Sequence, residues 1–374
     1  LKTKKKIYKG GNKMRFYVPT EVYNTQNCVE RYATKLASFG KKALIVTGRN
    51  SAKKCGALDD VIKALESNDT AYEIFDEVEN NPSMETVMKA RDFGLKSNVD
   101  FVIGIGGGSP LDACKAISMM IKNKDKGMEM LYDAGYETTY LPTVCIPTTA
   151  GTGSEVTPYA ILTVHKDKTK RSLPHKIYPV LALTDSKYTR FMSHENTVNT
   201  AIDALAHMLE SNLNTNANLY NRAFSEYGLK VWGASKDSLI NASLEEKDFN
   251  NFLNASTIAG MAIAHTGTSL PHGLSYTLTY ELNIPHGKAV GIFLPGYLKE
   301  YAKNDSQAVK ECLNNLDFKD VDEFKNYIDT VLGKVSFDQT LLEQDVEGIM
   351  ANEKKLKNYP FKITAEELIN FYKV

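Results

Sequence analysis

The chain has 374 residues, 43% of them hydrophobic and 24% charged, with 45 Lys and Arg balanced by 45 Asp and Glu. That length predicts two domains of roughly 150 to 200 residues, and a formal charge of zero supplies no field to hold a polyanion, which argues against nucleic-acid binding. No run approaches the roughly 18 apolar residues of a spanning helix, and the basic run Lys2 to Lys6 leads into polar residues rather than an apolar signal core, so a cytoplasmic protein without a membrane role is expected.

In chain order, Met14 to Tyr23 reads as an extended pair around a turn at Pro19-Thr20, confined to a sheet edge by the proline. Ala43 to Thr47, Phe101 to Ile105, Val144 to Pro147 and Val180 to Thr184 are short apolar runs, the pattern of buried strands. Leu58 to Leu65 and Met84 to Leu95 repeat apolar residues every three or four positions, and Asn81-Pro82-Ser83 supplies a turn and an N-cap to the second. This alternation predicts a mostly parallel sheet wrapped by helices, an α/β domain over residues 1–190 with Rossmann-like nucleotide-binding topology. Beyond it the periods become helical, in Asn196 to Glu210, Leu219 to Val231, Phe249 to Ala264 and Val321 to Val331, which predicts an all-helical domain over 191–374. A cleft between the two is the expected ligand site. Cys28, Cys55, Cys114, Cys145 and Cys312 are odd in number and scattered, and read as reduced thiols.

Gly104 to Pro110 (GIGGGSP) follows one strand run and opens the helical run Leu111 to Met120. Glycines let a phosphate approach the backbone, and the free N–H groups at a helix start favour an anion, as Asp112 in the first turn also would. A tight strand-to-helix turn without a ligand has the same composition. The segment is not the usual dinucleotide fingerprint, because no acidic residue about 20 positions later closes a strand. Pro147 to Glu155 (PTTAGTGSE) follows the next strand with threonines among small residues, fit for a ribose or phosphate or simply for a polar loop. Both loops fall at strand ends, where parallel sheets bind ligands.

Asp203 and His207 are four residues apart in an apolar helical run and share one helix face. His272 and His286 follow, each between a Pro and a Gly. One carboxylate and three imidazoles suit iron(II) or zinc, although an Asp and His at helical spacing also make an ordinary hydrogen-bonded pair. His265 reads as structural, and His165, His175 and His194 as surface or turn residues.

Together these segments resemble the iron-containing alcohol dehydrogenases. The resemblance is carried by GGGSPLDACKAI from Gly106, PTTAGTGSEVTPYAIL from Pro147, DALAHMLES from Asp203, and the LPHGLSYTL and IPHGKAVGIFLP segments. It implies a dehydroquinate synthase-like fold and hydride transfer between a nicotinamide dinucleotide and a small alcohol or aldehyde. The metal, Fe2+ with Zn2+ as the alternative, is then held by Asp203, His207, His272 and His286. Gly107, Gly108 and Ser109 inherit the diphosphate, Thr148, Thr149 and Thr152 the nicotinamide half, and Lys170 the neighbourhood of the ribose. Many members carry a proton-relaying histidine four residues after the third ligand, where this chain has Tyr276. NAD-preferring members carry an Asp after the first strand, where this chain has Gly48, followed by Arg49 and Ser51. The missing acid, which would bond a ribose 2′-hydroxyl and repel a 2′-phosphate, points to NADP over NAD. A homodimer also follows from the resemblance. Glycerol dehydrogenases and dehydroquinate synthases, a lyase class, are the nearest alternatives of the same fold.

Overall fold

The computed structural model describes residues 14–167 and 169–373; the Lys2 to Lys6 run lies outside them. Six strands form one parallel sheet: β1 (Glu21–Asn24), β2 (Lys42–Thr47), β3 (Ala71–Phe75), β4 (Phe101–Gly106), β5 (Thr143–Pro147) and β8 (Leu181–Thr184), in the order β1-β8-β5-β4-β2-β3. Strands β2 to β8 therefore follow the 2-1-3-4-5 doubly wound arrangement, with β1 added at the far edge. The strand order reverses between β2 and β4, whose C-terminal ends open a crevice. Between β5 and β8 lies an antiparallel hairpin, β6 (Ile161–Val164) and β7 (Thr169–Ser172).

Helices α1 (Ala57–Glu66), α2 (Met84–Lys96) and α3 (Gly108–Lys122) wrap the sheet. Every residue of β4 and β5 is buried, as expected of a parallel strand covered on both faces. Ser83 caps α2 by accepting from the Thr86 N–H. From His194 onward the chain is helical: α4 (His194–Asn212), α5 (Leu219–Gly233), α6 (Glu246–Thr266), α7 (Leu270–Glu281), α8 (His286–Gly291), α9 (Leu294–Asn315), α10 (Val321–Leu332), α11 (Gln339–Met350) and α12 (Ala365–Lys373). Helix α4 is at the centre of this half, packed against α5, α6 and α8. The Trp232 indole N–H of α5 donates to the Ala201 carbonyl at 2.8 Å and locks the two helices together.

Three expectations change. Met14 to Tyr23 is not an extended pair: residues 14–20 are irregular, and the strand starts at Glu21, where Thr20 Oγ1 donates to the Pro179 carbonyl and the chain joins the edge beside β8. His175 is not a surface residue; it is 2% exposed, with Nδ1 against Thr138 Oγ1 and Nε2 against the Met130 carbonyl, which satisfies both ring nitrogens. Asp112 lies beyond the first turn of α3, and its carboxylate accepts from the Ile161 N–H and Ser154 Oγ instead of facing a helix end.

Candidate active site

A cleft of about 1,040 Å³ runs between the end of the sheet and the helical half. Its walls include all the residues singled out above: Gly48, Arg49 and Ser51 after β2, Gly107, Gly108 and Ser109 after β4, and Thr148, Thr149 and Thr152 after β5. Lys170 of β7, Asp203 and His207 of α4, His272 and Tyr276 of α7, and His286 of α8 complete them. Segments far apart in the chain thus meet because the strands run parallel and deliver their C-terminal loops to one edge.

The glycine turn and the threonine-rich loop are in contact. A Cβ on Gly108 would come within 2.8 Å of Thr152 Cγ2, so glycine is what lets the two loops close on each other. Beneath them the buried Lys115 ammonium donates to Ser154 Oγ at 2.7 Å and to the Ser154 carbonyl at 3.0 Å, and pairs with Asp112 at 3.2 Å. A buried cation fully supplied with acceptors in this way fixes the loop on α3. Lys170 reaches across from the hairpin to Asn81 Oδ1 at 3.0 Å, and the Asn81 N–H donates to Ser109 Oγ at 3.0 Å. Burial lowers the Lys170 pKa against the opposing pull of Asp203. The sequence marks Asn81 only as a turn residue; its bridging role depends on a hairpin that sequence patterning does not reveal.

Asp203 Oδ1 is the hub of the polar cluster. It lies 3.3 Å from His272 Nε2, 3.7 Å from His286 Nε2 and 3.9 Å from His207 Nε2. The donor atoms of Asp203, His207 and His272 all fall within 4.8 Å of one another, and His286 closes the group from the cleft side with 33% of its side chain exposed. The His207 and His272 rings stack with centroids 4.5 Å apart. Each is held from behind, His207 by its Nδ1 against the Gly151 carbonyl at 3.3 Å and His272 by its Nδ1 against Glu210 Oε2. With Nδ1 carrying the proton, both Nε2 lone pairs face the hub.

Glu210 is the functional residue that sequence reasoning missed. It is fully buried, and its other carboxylate oxygen accepts from the Ser269 and His272 N–H groups, so it caps the start of α7 as well as orienting the His272 ring. The available signal was its spacing, three residues after His207 on the same helix face. Glu210→Gln is expected to weaken divalent-metal affinity by about 10- to 100-fold, read by competition with a chelating dye; unchanged affinity would show that the carboxylate only caps the helix.

The electrostatics favour a cation. Burial pushes Asp203 upward, but His207 and the other imidazoles hold its carboxyl well below the usual range. Burial pulls His272 down, yet Glu210 and Asp203 raise it to about 10. Burial also lowers His286, to about 3, with His272 and Lys170 adding to the effect against Asp203, and lowers His207. The field that draws a proton to His272 draws a divalent cation to the same place. Asp203 Oδ1 and His272 Nε2, which face each other at the hub, are moreover buried without a hydrogen-bond partner, a costly state that a coordinated ion relieves. One carboxylate and three imidazoles therefore fit iron(II) or zinc.

Tyr276 follows His272 by one turn of α7, and its ring lies parallel to that of His286 at 6.0 Å. Burial, with the charges of Glu210 and Asp203, raises its phenol to about 12, so it stays protonated at neutral pH.

A doubly wound crevice that opens onto one carboxylate and three imidazoles is the arrangement of a dinucleotide- and metal-dependent enzyme. Comparison with known proteins makes this specific. Residues 19–186 match the model of the iron-containing alcohol dehydrogenase family, and residues 197–357 match that family's C-terminal model. A crystal structure of an iron-containing alcohol dehydrogenase from Thermotoga maritima superposes with a TM-score of 0.88 at 39% identity, over 96% of this chain and 98% of that one. An NADPH-dependent butanol dehydrogenase of Clostridium saccharobutylicum is 28% identical over 92% of this chain and 89% of its own. Aldehyde-alcohol dehydrogenase 2 of Entamoeba histolytica is 28% identical over 80% of this chain, which spans only 35% of that longer protein. The chain belongs to the iron-containing alcohol dehydrogenases, oxidoreductases of alcohols and aldehydes. Among the described residues no helix is long and apolar enough to cross a membrane.

Proposed function

We propose that this chain interconverts a small aldehyde and its alcohol with NADP(H) in preference to NAD(H), using Fe2+, with Zn2+ as the alternative, held by Asp203, His207, His272 and His286. The observation that carries the reading is the pair of orphaned atoms, Asp203 Oδ1 and His272 Nε2, with the His207 and His286 Nε2 atoms around them, in a cleft also lined by the glycine and threonine loops. A divalent cation there supplies Lewis-acid polarisation and the dinucleotide supplies the hydride. The protein's share is positioning. Gly107, Gly108 and Ser109 present backbone N–H groups at the start of α3 to a diphosphate, Thr148, Thr149 and Thr152 flank the nicotinamide half, and Lys170 stands near the ribose. Tyr276 keeps its proton at Oη and can give a hydrogen bond to a substrate oxygen.

Cofactor preference rests on the end of β2. Gly48, Arg49 and Ser51 face the cleft with Lys54, without a carboxylate at position 48, while the neighbouring Lys53 is engaged by Asp76 at 2.6 Å. The butanol dehydrogenase relative, NADPH-dependent by name, supports the same direction. Gly48→Asp is expected to lower the NADPH-to-NADH ratio of kcat/KM by roughly 30-fold, about 2 kcal/mol of repulsion of the 2′-phosphate. An unchanged ratio would remove position 48 from cofactor choice.

The test of the whole reading is the initial rate of NADPH and NADH oxidation with a panel of short-chain aldehydes, using protein loaded anaerobically with iron(II) and a chelated control. Turnover that needs metal and runs faster with NADPH is expected. No turnover with any aldehyde, despite bound metal and dinucleotide, would overturn it.

A further inference from the structure

Helix α4 brings polar residues to the cleft beyond those of the cluster, Asn199 among them. Asn199 precedes Asp203 by one helical turn, so Asn199, Asp203 and His207 share a face. Asn199 lines the cleft, is only 6% exposed, and its amide Nδ2 has no hydrogen-bond partner. A buried amide donor left unpaired carries a desolvation cost, so an orphan in a cleft wall points to an acceptor on a ligand.

The packing says which ligand. The next residue, Thr200, is pressed against Gly151 of the threonine-rich loop, where an added Cβ would come within 2.9 Å of the Thr200 Cβ. The Asn199 carbonyl is packed against Gly287, next to His286. Asn199 thus lies between the residue that packs on the threonine-rich loop and the helix that carries His286, and lines the same cleft as that loop, whereas the Tyr276 ring lies parallel to that of His286. Thr148 Oγ1, on that same loop and also lining the cleft, is a second buried polar atom without a partner. The dinucleotide group that presents both an acceptor and a donor beside the reacting ring is the nicotinamide carboxamide.

Resting on the dinucleotide reading above, we propose that Asn199 recognises the nicotinamide carboxamide, its Nδ2 donating to the carboxamide oxygen while Thr148 Oγ1 accepts from the carboxamide NH2. Two contacts at one substituent fix which face of the ring meets the cluster, because a flipped ring would leave both protein groups unpaired.

The experiment measures calorimetric dissociation constants of the metal-loaded protein for three ligands: NADP, its 3-acetylpyridine analogue, which keeps the carbonyl and lacks the NH2, and its thionicotinamide analogue, whose sulfur is a poor acceptor. Asn199→Ala is expected to weaken the first two by about tenfold and the third by less than about threefold, with metal content unchanged. Asn199→Leu, which nearly keeps the volume, is measured beside it so that lost packing is separated from the lost donor, and the same pattern is expected. Equal losses on all three ligands, no loss, or a loss that vanishes with the 3-acetylpyridine analogue would overturn the assignment. Wild-type protein that binds none of the three would overturn the dinucleotide reading itself, a distinct result.

Discussion

His272→Ala is expected to lose bound metal and turnover together, with kcat/KM falling about a thousandfold or more. Removing Lewis-acid polarisation withdraws about 4 kcal/mol of transition-state stabilisation, and each 1.36 kcal/mol is a factor of ten. The effect is large because His272 has two jobs: its Nε2 faces Asp203 at 3.3 Å, and its Nδ1 is the side-chain partner of the fully buried Glu210. Truncation leaves that carboxylate with backbone donors alone, so a lower melting temperature should accompany the metal loss. Atomic spectroscopy of the purified variant beside its initial rates makes the check. A variant without metal that keeps full activity would remove the cluster from the chemistry.

Gly287→Ala should unfold the same site without touching a ligand. A Cβ at Gly287 would overlap the Asn199 carbonyl oxygen, backbone against backbone, with no flexible side chain to yield. Helices α4 and α8 must then separate, and His286, the residue before Gly287, moves away from Asp203. Overpacking of this kind costs about 3 kcal/mol, which lowers the melting temperature by roughly 6–12 °C at this domain size. Because the strain falls between two ligand-bearing helices, metal affinity should drop in parallel. Thermal melts with and without metal report both; a variant with wild-type melting and metal content would mean that the two helices can part without cost.

These two substitutions bracket the design of the centre. One removes a donor atom, and the other disturbs only the spacing of the backbones that carry the donors. The cluster is built on α4, which is buried nearly all round, and on the first turns of α7 and α8, so all four proposed ligands sit on helices instead of loops. Glu210 joins two of these elements, being a residue of α4 that caps α7.

Much of this was legible in the sequence because it is local. Apolar runs such as Phe101 to Ile105 mark strands that are buried on both faces, and a period of 3.6 puts Asp203 and His207 on one side of a helix whatever surrounds them. The glycine and threonine loops announced themselves by composition at strand ends. Less was legible where burial depends on remote partners. His175 lies near Pro and Lys in sequence yet is hydrogen-bonded to residues 130 and 138, and the hairpin that delivers Lys170 to Asn81 has strands of four residues, β7 being polar as well, too short to be read as strands. Nothing in the local sequence sets Glu210 and Asn199 apart from other polar residues of their helix. Only the packing of α7 over Glu210 gave that residue partners, and only the tertiary surroundings of Asn199 left its amide Nδ2 without one. The sequence by itself determined the strands buried on both faces and the long periodic helices, and it offered one carboxylate and three imidazoles as candidate ligands, since these follow from backbone periodicity and side-chain chemistry. Tertiary structure decided which buried polar atoms are satisfied and which face the cleft, because hydrogen bonding and desolvation depend on neighbours that the chain brings together only on folding.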